Sequence, residues 1–169
     1  MDKILAREIH CSSSVAWNPN TPGNILDMLA KDNRVDTRGL VARHRNTYVS
    51  TLEILARDAD SVIRSYVASN PNTPVGSLGI ISRDIEGSVR YCVASNPNTS
   101  VNILDILPKD EDGFVRLGVG GNRITPKSIL QKLTKDHDPD IRKRAKSNPD
   151  GLGKGSAASQ AEGRIGFAA

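Results

Sequence analysis

Val67-Ala-Ser-Asn-Pro-Asn-Thr-Pro74 is one copy of a motif that recurs along the chain. It returns as Val93-Ala-Ser-Asn-Pro-Asn-Thr-Ser100 and, upstream, as Val15-Ala-Trp-Asn-Pro-Asn-Thr-Pro22, at 26 residues or a multiple of 26. The same period lands on diverged copies at 41–48, 119–126 and 145–151. A period of this length predicts an array of stacked repeats, each one a short supersecondary unit.

The motif joins the end of one helix to the start of the next. Proline disfavours helical geometry in the residue before it, so each Asn-Pro pair predicts a helix end. A threonine follows in every repeat, and we expect it to cap the next helix, with proline at the first helical position where it is present. These threonines are Thr21, Thr47, Thr73, Thr99 and Thr125.

Apolar residues then recur at helical spacing. A leucine follows each threonine and is itself followed, three residues later, by Leu or Ile, which predicts one inward helical face. The pairs are Leu26 and Leu29, Leu52 and Leu55, Leu78 and Ile81, Leu104 and Leu107, Leu130 and Leu133. After a short acidic turn, a second and shorter helix is expected to carry Ile63, Val89, Val115 and Ile141, with Val67, Val93, Val119 and Ala145 four residues on.

A helix pair of 26 residues has too little apolar surface to be stable alone, so successive pairs must stack. We therefore expect an all-α protein with about five helix-pair repeats over residues 15–150. Residues 1–14 are expected to form a modified N-terminal cap, and the Gly/Ala/Ser-rich tail 151–169 to be flexible.

Composition and charge narrow the classes of protein that fit. The formal net charge of +4 is too small to indicate nucleic-acid binding by itself. Cys11 and Cys92 lie in different repeats without a CxxC motif, so neither a disulfide framework nor a metal site is indicated, and no cofactor is expected. No segment resembles a signal peptide or a membrane span. We expect a cytoplasmic monomer with no membrane association.

Residues 15–150 resemble the leucine-rich repeat variant family, whose repeats combine Val-Ala-x-Asn-Pro-x-Thr-Pro, Leu-x-x-Leu, and Asp followed by Val-Arg. All three occur here, as in residues 67–74, Leu78 to Ile81, and Asp84 with Val89-Arg90. The resemblance implies a right-handed α-solenoid in which α-helices alternate with shorter α- or 3₁₀ helices, related in shape to HEAT and armadillo arrays, and it implies a bacterial protein. Since Cys11 stands alone near the N-terminus, the iron–sulfur cluster of some relatives is not expected.

An acid and a base recur in every repeat. Identical pairs argue against a catalytic centre, which would be needed only once, and no nucleophile or phosphate-loop motif appears, so we expect no enzymatic activity. We predict a structural ladder in which each aspartate caps the second helix and accepts hydrogen bonds from an arginine of its own or a neighbouring repeat. An exposed arginine row that binds a ligand is the alternative. The residues are Asp32, Asp58, Asp84, Asp110 and Asp136, with Arg38, Arg64, Arg90, Arg116 and Arg142.

Two adjacent positions of the second helix vary between repeats, which is typical of a recognition face. We therefore predict a non-enzymatic scaffold that binds a protein or peptide on an extended concave surface. Its candidate contact residues are Ser65, Tyr66, Tyr91, Cys92, Leu117 and Lys143. The alternative is non-specific nucleic-acid binding through basic residues that interrupt the repeat pattern near its two ends. These are Arg43, Arg45, Arg142, Lys143, Arg144 and Lys146.

Overall fold

The structure is a computed structural model, and it describes residues 12–149. This part of the chain is all-helical and contains no strand, which confirms the expected all-α class. The expected flexible tail 151–169 and most of the expected cap 1–14 lie outside the described residues. The helices are α1 (12–17), α2 (Gly23–Leu29), α3 (Val35–Arg43), α4 (Val49–Leu55), α5 (Ser61–Ser69), α6 (Val75–Ile81), α7 (Gly87–Ser95), α8 (Val101–Ile106) with a 3₁₀ turn (Leu107–Lys109), α9 (Gly113–Gly121), α10 (Lys127–Leu133) and α11 (Pro139–Lys146).

The core is built from the predicted inward residues. Leucine at the first inward position is fully buried in all five helices that carry it, so this part of the prediction is confirmed. The predicted inward Ile or Val of the helices that follow is buried in the same way, as are the valines four residues on. These residues are Leu26, Leu52, Leu78, Leu104, Leu130, Ile63, Val89, Val115, Ile141, Val67, Val93 and Val119.

The helices fall into two sets with different neighbours. Helices α3, α5, α7, α9 and α11 contact one another in succession, each packing on the next. Helices α2, α4, α6 and α10 pack on a helix of that first set. We call α3, α5, α7, α9 and α11 the second helices, since each one follows its partner within a repeat.

The relative length of the two helices differs from the sequence expectation. The second helices α3, α5, α7 and α9 have nine residues each, whereas α2, α4, α6 and α10 have seven. The prediction of a shorter second helix was therefore wrong, and both helices are α-helical apart from the turn at Leu107–Lys109. The first helix ends before the acidic turn begins, as α4 does at Leu55, three residues before Asp58. The second helix starts directly after that turn and continues to the next turn between repeats, as α5 does from Ser61 to Ser69.

The threonines do not cap the helices as predicted. The residue before each first helix is Pro22, Tyr48, Pro74, Ser100 or Pro126, and its side chain makes no capping hydrogen bond. Each threonine hydroxyl instead donates to a carbonyl six residues back, as Thr73 Oγ1 does to Val67 O at 2.5 Å. Since Thr73 is only 1% exposed, the hydroxyl satisfies a buried carbonyl at the end of the previous helix.

A buried asparagine links each second helix to the one before it. Asn96 Nδ2 donates to Ala68 O at 2.6 Å and to Asn70 O at 3.1 Å, while its Oδ1 accepts from the backbone N–H of Asn98. Asn70, Asn122 and Asn148 make the same pair of donations to carbonyls 28 and 26 residues earlier. We call these four residues the asparagine ladder.

His44 occupies the corresponding position in the repeat where asparagine is missing. Its Nδ1 accepts from the backbone N–H of Asn46 at 3.0 Å, as an asparagine Oδ1 would. Its Nε2 lies 3.0 Å from Asn18 O, as an asparagine Nδ2 would. Because Nδ1 accepts a hydrogen bond, the tautomer with the proton on Nε2 is the one that fits. The imidazole therefore makes two of the three hydrogen bonds of the carboxamide, one with the N–H two residues on and one with the carbonyl 26 residues earlier.

We expect Asn96→Asp to lower the free energy of unfolding by about 3 kcal/mol, because the new carboxylate faces two buried carbonyl oxygens to which it cannot donate. The matched control is Asn98→Asp in the same turn, an exposed asparagine that donates to a single carbonyl, Pro71 O. Urea unfolding followed by circular dichroism measures both variants. Equal stability of the two would contradict a structural role for the ladder.

Candidate functional site

Four of the five ladder arginines bond to the aspartate of the following repeat. Arg90 Nε and Nη2 donate to Asp110 Oδ2 and Oδ1 at 2.7 and 2.8 Å, which is the strong bidentate geometry. Its Nη1 donates to the Asp84 and Ile85 carbonyls of its own turn. Three other arginines repeat this arrangement: Arg38 with Asp58, Arg64 with Asp84, and Arg116 with Asp136.

Capping of the second helix does not come from the ladder aspartates, contrary to the prediction. Asp58 accepts from the N–H of Asp60, which lies just before α5. The cap itself is Asp60, whose carboxylate accepts from the N–H of Val62 at 2.8 Å. Asp112 and Asp138 cap α9 and α11 in the same way. The sequence signal for these caps was a second acidic residue two positions after the ladder aspartate, such as Asp60 after Asp58.

The ion pairs lower the pKa of the ladder carboxyls. The hydrogen bond from Arg64 lowers the pKa of Asp84 from its ordinary value of 3.8, and burial opposes this only in part. Burial alone would raise the pKa of Asp58, Asp110 and Asp136, but the hydrogen bonds from the paired arginine and from a backbone amide outweigh it. All of these carboxyls are therefore ionised and occupied as structural partners, which leaves them unsuited to proton transfer.

The predicted contact residues lie on the second helices, but several of them also pack on the core. Tyr66, Cys92 and Leu117 are partly buried and contact core residues. Gly118, at the repeat position of Tyr66 and Cys92, is buried, and a Cβ there would lie 3.0 Å from Ala94 Cβ. Variation between repeats at this position therefore does not mean that its side chain is free of the core. The adjacent position is more open, since Tyr91 is 40% exposed.

A first groove lies between α3 and α5. It has a volume of ≈ 220 Å³ and is lined by Gly39, Leu40, Arg43, Val62 and Tyr66 among others. The guanidinium of Arg43 lies 5.1 Å from the centre of the Tyr66 ring, which is a cation–π contact. Glycine at position 39 leaves the ring room, because a Cβ there would lie 3.2 Å from Tyr66 Cε2.

A second groove lies across α7, α9 and α11. It has a volume of ≈ 390 Å³, and its lining includes Tyr91, Ser95, Leu117, Gly121 and Arg144. The Arg144 side chain crosses Gly121, where a Cβ would lie 2.6 Å from Arg144 Nε. Both grooves thus combine one tyrosine, one arginine and a glycine that makes space for one of them. Ser65 and Lys143 line neither of these two grooves.

The basic residues proposed for nucleic acid do not come together in the structure. Arg43 and Arg45 lie at or just after the end of α3, whereas Arg142, Lys143, Arg144 and Lys146 lie on α11, with α5, α7 and α9 packed between the two helices. Arg43 is engaged with Tyr66 and Arg142 with its own turn. The two clusters therefore form separate surfaces.

The sequence interpretation missed a row of cations at the end of the first helices. Five exposed basic residues share one repeat position, and within residues 12–149 none of them makes an ion pair. The 26-residue period would have revealed the row had this position been compared between repeats. We call it the basic row: Lys31, Arg57, Arg83, Lys109 and Lys135.

Metal-binding and membrane-spanning features are absent from the described residues. No group of three or more His, Cys, Asp or Glu side chains in residues 12–149 could hold a metal ion. Over the same range, no helix has the length and apolarity needed to cross a membrane. His137 lies between two aspartates in the sequence and is exposed. Its Nε2 lies 3.1 Å from Arg116 Nη2.

No protein family model matches this chain, and no curated protein is similar to it. Among solved structures, an engineered protein from the Northeast Structural Genomics Consortium shares 15% sequence identity, with coverage of 82% of this chain and 87% of its own. The TM-score is 0.45, a likeness too low to carry an argument about fold or function. The residues themselves are therefore the basis for the proposals that follow.

The lowered pKa values give stability a defined dependence on pH. A carboxyl whose pKa is lower in the folded state stabilises the protein above its unfolded pKa, near 3.8, and this contribution is lost as the pH falls through the folded-state value. We therefore expect the melting temperature to be steady near neutral pH and to fall once the pH drops below about 4.

Asp84→Asn should cost about 3 kcal/mol at pH 7, because it leaves Arg64 without its carboxylate, and it should flatten the acid dependence. Glu53→Gln, which changes an exposed carboxyl, is the matched control. Thermal unfolding followed by circular dichroism from pH 7 to pH 2 measures all three proteins. An unchanged acid dependence in Asp84→Asn would contradict the ion pair.

Proposed function

We propose that this chain is a non-enzymatic scaffold that binds a protein or peptide through the two grooves of its second helices. The observation that carries the proposal is the pairing of an exposed or half-exposed tyrosine with an arginine in each groove. Tyrosine and arginine are enriched among the residues that dominate binding energy in protein interfaces, since both offer a large rigid surface with a polar end.

The repeated acid–base pairs support a non-enzymatic role. Four of the five ladder arginines are bonded to a carboxylate of the next repeat. Because these charges hold successive helices together, their recurrence has a structural explanation and requires no catalytic one. The residues that line the grooves are among those that differ between repeats, so we assign binding to them.

We propose further that residues 15–150 form a right-handed α-solenoid of five 26-residue helix pairs, as in the leucine-rich repeat variant family. Direct contacts between successive second helices support it. Since the first helices pack mainly on second helices rather than on one another, the second helices would line the inner, concave surface. Both grooves open on that layer, which suits an extended peptide.

The scaffold proposal predicts that Arg43→Ala combined with Tyr91→Ala lowers partner retention at least tenfold, since each change removes one contact from a groove. Ile54→Ala with Lys127→Ala is the matched control, because both residues are exposed on first helices. The tagged proteins are compared in pull-downs from nuclease-treated native lysate by mass spectrometry. Equal retention by both double variants, with unchanged melting temperatures, would exclude the grooves.

The basic row favours nucleic-acid binding as the second candidate function, at a site other than the terminal clusters. Five exposed cations recur at one position from repeat to repeat, at the ends of the first helices. Such a row can neutralise several phosphates of one extended strand, and affinity would then fall steeply with salt.

Under this alternative, replacing Arg57, Arg83 and Lys109 together by Gln should reduce the slope of log affinity against log salt by about 2–3. Replacing Lys143, Arg144 and Lys146 by Gln removes the same charge from α11 and is the matched control. Fluorescence anisotropy with labelled single- and double-stranded oligonucleotides at 50–200 mM salt provides the measurement. Equal slopes for the two triple variants would exclude the basic row.

A further inference from the structure

The last ladder arginine has the same backbone contacts as the others, but no carboxylate of residues 12–149 is bonded to it. Arg142 Nη1 donates to the Asp136 and His137 carbonyls at 2.8 and 2.9 Å, as Arg116 Nη1 does to the carbonyls of its own turn. In the four earlier repeats, Nε and Nη2 of this arginine hold the aspartate found 20 residues later. Among residues 12–149, no carboxylate lies on Nε and Nη2 of Arg142.

The orientation of the Arg142 guanidinium is therefore fixed by the protein itself. The two Nη1 bonds fix its orientation, and the two remaining donors face the side where a further repeat would stand. We call these donors, Arg142 Nε and Nη2, the Arg142 fork. Four equivalents within the same molecule show that a carboxylate fits this geometry, with bonds of 2.5–3.3 Å.

The surroundings of the fork add positive charge. An open pocket of ≈ 480 Å³ is lined by Pro139, Arg142, Lys143, Lys146 and Ser147. Lys146 departs from the repeat, because the same position in the earlier second helices is a buried small residue. Those residues are Ala42, Ala68, Ala94 and Gly120. Because Lys146 carries a charge where these residues are small and buried, this side of α11 is unsuited to packing against another apolar helix. An acidic segment would complement its charge.

We propose that the Arg142 fork is a binding site for an acidic turn, with an aspartate or glutamate carboxylate seated bidentately on Nε and Nη2 and Lys143 and Lys146 adding electrostatic attraction. This site lies at the end of the helix layer, so it goes beyond the groove-binding function and does not depend on it. Its ligand class is an acidic peptide segment similar to the Asp-x-Asp turns of the protein's own repeats, such as residues 136–138.

The carboxylate has two sources that share this chemistry. One is a partner protein, and the other is the chain itself, since the sequence places Asp150 close behind α11 and Glu162 exactly 20 residues after Arg142. The experiment therefore includes an arm for each source.

The test uses full-length protein labelled with ¹⁵N and followed by NMR. The Nε–H signal of Arg142 is identified by its loss in Arg142→Gln, and the backbone amides of α11 provide a second readout. The probe is a capped peptide that copies residues 133–139, whose Asp136 occupies the fork of Arg116. The same peptide with Asn in place of that aspartate is its control.

We expect the peptide to shift the Arg142 Nε–H signal and the α11 amides with a Kd of about 1 mM, the range of a single partly exposed charge-assisted contact. Arg142→Lys keeps the charge but cannot form two parallel bonds, so it should bind about tenfold more weakly. Arg144→Gln removes a charge from the same helix and should bind with little change.

Hydrogen exchange of the Arg142 Nε–H without peptide tests the internal source, with Arg116 as the paired reference. Protection that is lost in Asp150→Asn or Glu162→Gln supports a fork filled by the chain's own carboxylate. Rapid exchange in the wild type, together with no shift up to about 10 mM peptide, overturns the proposal. Equal shifts by the two peptides also overturn it, because attraction would then not require the carboxylate.

Discussion

The hydrogen bonds of one buried carboxamide per repeat are the interaction on which the rest of the structure depends. Asn96 accepts from its own turn and donates to two carbonyls of the previous turn, so one side chain both closes a helix and positions the next. Each of these groups is buried, where an unpaired carbonyl or amide would be costly. The carboxamide is suited to this position because it supplies two donors and one acceptor in fixed geometry.

The asparagine ladder and the arginine–aspartate ladder hold opposite ends of the second helices. In α5, Asp58 precedes the helix and accepts from Arg38, while Asn70 follows the helix and donates to the carbonyl of Ala42 in α3. Two anchor points on one helix limit both rotation about its axis and sliding along it. The apolar residues between them, such as Ile63 and Val67, are then packed at a defined register. Charge, hydrogen bonding and apolar burial therefore specify one arrangement of successive repeats.

Sequence reasoning predicted the parts of this structure that repeat. Spacing alone identified the inward leucines, the helix order and the residues of the ion-pair ladder, because each of them is a periodic local signal. Sequence reasoning failed where one residue type can make either of two hydrogen bonds. Thr73 has the identity of a helix cap but donates backwards to Val67 O, and the sequence does not distinguish these roles. The grooves were missed for a different reason, since Tyr66 and Arg43 are brought together by packing of α3 on α5 and not by the period.

Positions that do not follow the repeat give the helix layer its local differences in chemistry. His44 replaces asparagine at one step of the ladder and makes two of the three hydrogen bonds, and because it is buried it adds nothing to the surface. Arg43 and Gly39, in contrast, differ from the equivalent residues of neighbouring repeats and together hold an arginine over an aromatic ring. Arg142 is identical to its equivalents, but within residues 12–149 no carboxylate lies on its Nε and Nη2. Two kinds of position therefore depart from the repeated pattern of contacts in residues 12–149: residues that differ from their equivalents, and Arg142, which is identical to its equivalents but makes different contacts.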